Sequence, residues 1–190
     1  MLLAGVDVSG RPNTGNYKFM SIVIGTEEKI KSLTRKLGTE HIHMHRIHDD
    51  KSKNEIISKL DFDGRQCVAF CYRVELDDAV KKIKNMRRKR NIRKRRIYEA
   101  CYYILWMLIQ DKVKKLLQMY GCAANDVAFQ CDGDSEAFLK TVGLRYSKKG
   151  HAYYLSDIVA WANNRGREPH GTVSVDLAGE IEMRIKARIK

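Results

Sequence analysis

Residues 2–10 read LLAGVDVSG, an apolar run from Leu2 to Val8 broken by Asp7 and stopped by Ser9-Gly10. A short apolar run that ends on a turn signal reads as a buried strand. Asp7 is the anomaly in it, because an ionised carboxylate is costly to bury unless partners or a cation offset the loss of water.

Outward from this strand, the turn-rich RPNTGN stretch leads to a second strand predicted at 17–25 (YKFMSIVIG), so a hairpin opens the fold. Residues 27–37 place Ile30, Leu33 and Leu37 at helical spacing, 41–47 (HIHMHRI) alternate as an edge strand would, and 54–60 form a short helix; 27–60 are expected as an insertion at the sheet edge. Further strands are expected at 66–75 (QCVAFCYRVE), 126–131 (DVAFQC) and 151–154 (HAYY). A long helical stretch starts after Asp77-Asp78 and stops at Gly121. Ile97, Cys101, Ile104 and Leu108 make one stripe on it and Tyr98, Tyr102, Tyr103 and Trp106 another, so its middle is expected to be buried all round. Shorter helices are expected at 136–142 and 155–164. The tail, 173–190, is expected as an amphipathic helix on Leu177, Ile181, Ile185 and Ile189. The 190 residues are expected to form one α/β domain.

With 44% hydrophobic residues, 31% charged residues and two prolines, the chain has the composition of an ordered globular protein. Its five cysteines form no CxxC pair and their count is odd, which points to reduced thiols. Asp7 interrupts the first apolar stretch, so neither a signal peptide nor a membrane span is expected, and the expected compartment is the cytoplasm. The charge is concentrated in one place. Of 36 Lys and Arg, eleven fall in residues 81–96 (KKIKNMRRKRNIRKRR) with no acid among them, so the other 25 nearly balance the 23 Asp and Glu. Such a block attracts polyanions and releases counterions from phosphates, which makes nucleic acid the expected partner. Arg87, Arg88, Lys89, Arg90, Arg93, Lys94, Arg95 and Arg96 are its candidate contacts. A solvated helix face is the plainer reading of such a run.

Three further acids share the setting of Asp7. Asp132 ends the strand DVAFQC, Glu99 lies among apolar and aromatic residues on the long helix, and Asp157 interrupts an apolar helix, YLSDIVAWA. Each alone has a structural explanation as a cap or an ion-pair partner. Taken in order, they follow a pattern. GVDVSG resembles the first-strand motif of type 2 ribonucleases H and related nuclease-like families, VAFQCDG resembles their later strand ending in Asp-Gly, RRIYEACYYILWML is similar to the helix carrying the family's Glu, and HAYYLSDIVAWANNR resembles the late helix with the last Asp. Val8 stands where type 2 enzymes usually carry a second acid. The resemblance to the RNase H-like superfamily spans about residues 2–165.

This resemblance implies a mixed five-stranded sheet flanked by helices, with the 27–60 insertion and a C-terminal helix. It also implies a metal-dependent nuclease in which Asp7, Glu99, Asp132 and Asp157 hold two Mg²⁺ or Mn²⁺ ions for in-line phosphodiester cleavage. The runner-up is a non-catalytic nucleic-acid-binding protein of the same fold. Other motifs yield less. His41, His43, His45 and His48 lack a familiar zinc-ligand partner nearby, so a polar edge strand is the simpler reading, with proton shuttling by His43 or His45 as the functional one. DGDSE lacks the downstream acids of an aspartyl phosphatase, and as an EF-hand it would carry Gly143 at the twelfth position.

Overall fold

The computed structural model describes residues 1–9, 19–38, 43–75, 81–82, 85, 94–123 and 126–189. The six described strands are β1 (Leu2–Ser9), β2 (Phe19–Thr26), β3 (Cys67–Arg73), β4 (Ala128–Cys131), β5 (Tyr146–Lys148) and β6 (Thr172–Asp176). They form one sheet in the order β5-β4-β1-β2-β3-β6. β1, β2 and β3 make an antiparallel meander. β4 then runs parallel to β1, β5 parallel to β4, and β6 parallel to β3. The mixed sheet flanked by helices is present, with six strands where five were expected. The sixth is a mostly exposed edge strand at the start of the segment expected as the tail helix.

The described helices are α1 (Glu27–Lys36), α2 (Asp50–Ser58), α3 (Lys94–Met119), α4 (Gly133–Thr141), α5 (His151–Asn163) and α6 (Ala178–Ile189), with a 3-10 turn at Met44–Arg46. Strand alternation divides them between the two faces. Leu2, Ala4, Val6 and Val8, with Met20, Ile22, Ile24 and Phe70, pack against α3, α4 and α6. Leu3, Val23, Cys67, Ala69 and Cys71 pack against α1, α2 and α5. With both faces covered, the central strands β1, β2 and β3 are buried nearly throughout rather than alternating. No helix among the described residues is long and apolar enough to cross a membrane.

Several expectations need correction. Residues 151–154 open α5 instead of forming a strand; the nearby strand is β5, three residues earlier. Residues 43–47 contain the 3-10 turn rather than an extended strand, and His41 lies outside the described residues. The 27–60 segment fills the α5 side of the core through Ile30, Leu33, Met44 and Ile57, so it is no edge decoration. The middle of α3 is not buried all round, since Tyr103 is 51% exposed and Met107 41%. Of the basic run, residues 83–84 and 86–93 lie outside the described residues; Lys94, Arg95 and Arg96 fall on the first turn of α3.

Candidate active site

Two local devices bring α5 against the strand ends. Gly5 faces α5, and a β-carbon there would overlap the backbone carbonyl of Ala152, so only glycine lets helix and strand approach this closely. The start of α5 lacks a capping side chain of its own. Gln130 of β4 supplies one instead, its Oε1 accepting the Ala152 N–H at 2.9 Å. These contacts set the first turns of α5 over β1 and β4.

Asp7 follows Leu3 and Gly5 on the same face of β1 and is 5% exposed. The parallel register pairs Val6 with Cys131, so the next residues along, Asp7 and Asp132, come side by side at the strand ends, neighbouring strands being about 4.8 Å apart. Asp132 caps α4, its Oδ1 accepting the Ser135 N–H at 3.2 Å, while its Oδ2 accepts the Tyr153 hydroxyl at 3.3 Å. Asp157 stands one helical turn beyond Tyr153. Its Oδ2 accepts the Met44 N–H at 3.1 Å.

The buried phenol of Tyr153 bonds to Asp132 and lies within electrostatic reach of all three acids. Burial raises its pKa most, and the charges of Asp7, Asp157 and Asp132 push it further the same way. Asp157 is raised to about 6, chiefly by burial, with the Met44 N–H opposing and the charge of Asp132 adding. Burial likewise pushes the Cys131 thiol up to about 11, helped by Asp132 and Asp7. His43 is buried beside them, its ring edge-on to Tyr154 with centroids 5.1 Å apart and 5.9 Å from the Tyr153 ring. Desolvation lowers its pKa, with Lys149, Arg46 and His45 adding to the shift and Asp132 opposing it.

Three of the four acids singled out in the sequence thus converge: Asp7, Asp132 and Asp157. Glu99 is half-buried near the start of α3, the helix that packs on the other face of the sheet. Tyr153 and Gln130 were missed, Tyr153 because an aromatic residue in an apolar stretch reads as core. The signal for it was present, since Tyr153 and Asp157 are four apart and share one helix face. The donors at the strand ends are carboxylate oxygens, the set preferred by hard divalent cations.

No family model matches the sequence, and no curated protein matches it significantly. Among solved structures, RNase HII of Archaeoglobus fulgidus, determined in complex with PCNA, is similar at a TM-score of 0.45 and 12% identity, over 100% of this chain and 78% of that one. At that level of likeness, the activity and the PCNA partner stay with that protein.

Proposed function

We propose that this protein is a divalent-metal-dependent nuclease of the RNase H-like superfamily, acting on nucleic acid. The observation that carries the reading is the convergence of Asp7, Asp132 and Asp157 on one buried phenol, at the ends of two adjacent parallel strands. Like charges gathered in a half-dry site raise one another's pKa, and a multivalent cation is the natural counter-charge. Two bound Mg²⁺ or Mn²⁺ ions would supply an activated water and a stabilised leaving oxygen. Asp7 and Asp132 present their oxygens from the sheet and Asp157 from α5. Glu99 is assigned to complete the shell from α3. Tyr153 is a positioning residue: its hydroxyl donates to Asp132 and holds that carboxylate toward its neighbours.

The basic run leads into α3 and supplies its first turn with Lys94, Arg95 and Arg96, so its role in this reading is to guide a phosphate backbone toward the acids. Replacing Arg87, Arg88, Lys89, Arg90, Arg93, Lys94, Arg95 and Arg96 with Gln weakens binding and flattens its salt dependence by about 0.9 in log–log slope for each duplex phosphate that is no longer neutralised. A fluorescence-anisotropy salt titration reads this. Unchanged slope removes the arm from the interface.

Cleavage itself is tested with labelled DNA, RNA and hybrid duplexes in Mg²⁺ or Mn²⁺. Asp7→Asn is expected to lower the rate by at least about 10²–10³-fold, the scale for losing one preorganised electrostatic group. Equal rates for both proteins would sink the assignment. Salt-dependent binding without cleavage by the native chain favours the non-catalytic reading.

A further inference from the structure

The 3-10 turn at Met44–Arg46 does more than pack. Met44 is fully buried, and its N–H donates to Asp157 Oδ2. This anchors the turn on α5 and brings the histidines on either side of Met44 together, their ring centroids 5.5 Å apart. One donor atom from each of His43, His45 and Asp157 lies within 4.8 Å of the others.

Within this group one atom lacks a partner. His43 Nδ1 is buried without a hydrogen bond among the described residues, on a side chain only 9% exposed. Leaving a buried ring nitrogen unsatisfied costs free energy, so such an atom calls for an explanation. Its nearest described carboxylate oxygen, Asp157 Oδ2, is 3.6 Å away. That is too long for a hydrogen bond. It is close to the separation of two donors sharing one ion, since bonds of about 2.1 Å at a tetrahedral angle hold donors ~3.4 Å apart.

We propose that His43, His45 and Asp157 form a site for a transition-metal ion of the Zn²⁺ type, which shares Asp157 with the all-oxygen grouping of Asp7, Asp132 and Asp157 but differs from it in donor chemistry. Imidazole nitrogen suits Zn²⁺ and Co²⁺ and is a poor ligand for Mg²⁺, which keeps to oxygen. Three protein donors leave a fourth position for water or a ligand oxygen. The ion clamps the turn onto α5 one helical turn from Tyr153. The site stands on its own geometry and does not require the chain to be a nuclease.

Co²⁺, a spectroscopic stand-in for Zn²⁺, tests this on the full chain stripped of metal. One equivalent is expected to give the strong visible bands of a four-coordinate nitrogen-containing site, and Zn²⁺ is expected to displace it. His43→Gln and His45→Ala are each expected to weaken Co²⁺ binding by about 100-fold or more, at least the loss seen when a mere outer partner of a metal ligand is removed. His45 is exposed, so its replacement keeps the test sharp even if the buried His43 variant fails to fold. Asp7→Asn is expected to leave the bands in place whatever it does to cleavage, which separates this proposal from the nuclease reading. Only the weak bands of six-coordinate Co²⁺, no bands at all, or strong bands that survive His45→Ala would overturn it.

Discussion

The two faces of the sheet are covered alike yet filled differently. Against α3, α4 and α6 the strands bury aliphatic and aromatic side chains, and Ser135 is the one buried polar residue on an element of that side among the described residues. Toward α1, α2 and α5 the protein hides Asp7, Ser21, Thr34, His43, Ser156 and Asn163, with Asp157 nearly covered. Some of these polar groups bond within the interface: Ser21 Oγ donates to the Ser156 carbonyl at 2.7 Å, and Asn163 Nδ2 to that of Val159 at 3.0 Å. The acids are another matter, because their charges raise the pKa of Tyr153 and, from Asp132, of Asp157. An apolar face is built for stability, whereas a face that concentrates like charge gives up stability for something else.

The largest expected effect on this contrast comes from Gly5, which lets α5 approach β1. Gly5→Val places a branched side chain in the space of the Ala152 backbone carbonyl, which no rotamer change relieves. Overpacking of this kind costs about 3 kcal/mol or more. At roughly 2–4 °C per kcal/mol for a chain of this size, thermal denaturation should fall by ~6–12 °C. The displacement also moves Tyr153 and Asp157 away from the strand ends, so any activity falls with it. A Tm within about 2 °C of the native value would mean that the helix is not held as closely as its contacts imply.

The sequence revealed one face better than the other, and the reason is local. β1 to β4 are apolar runs bounded by turn residues, and α1 and α3 carry stripes at helical spacing, so short windows suffice to find them. The start of α5 is a different problem. Its cap comes from Gln130, 22 residues back, and HAYY taken alone suits a strand as well as a helix. β5 has three residues, two of them exposed, and β6 is an exposed edge, so neither leaves an apolar signature. For the site, an acid in an apolar run stands out wherever it falls, which is why Asp7, Asp132 and Asp157 were visible. Tyr153 could have been found from its spacing to Asp157, but its bond to Asp132 lies 21 residues back, and the inward turn of His43 rests on the Met44 contact with Asp157, 113 residues away, which no spacing rule encodes.

A smaller effect of opposite sign isolates the cost of the charge. Asp157 is held to about 6, above the ordinary value of 3.8, by burial and by Asp132. The folded protein therefore keeps this proton between about pH 4 and 6 while the unfolded chain releases it, so the group's contribution to stability is lost as pH rises through that window. Met44, His43, Tyr153 and Asp132 surround it. Asp157→Asn keeps a side-chain oxygen for the Met44 N–H and removes the titrating charge. With chelator present, the variant should be more stable than the native chain at pH 7 by about 3 kcal/mol, and the gap should close below about pH 4. Adding Mn²⁺ or Zn²⁺ should reverse the order, because an ion that binds only the folded native site stabilises it in proportion to the logarithm of its concentration over Kd, and the variant lacks that ligand. If Asp157→Asn is instead less stable in chelator at every pH, Asp157 is a structural anchor for the Met44 turn. The charge buried on this face would then serve the fold rather than a metal.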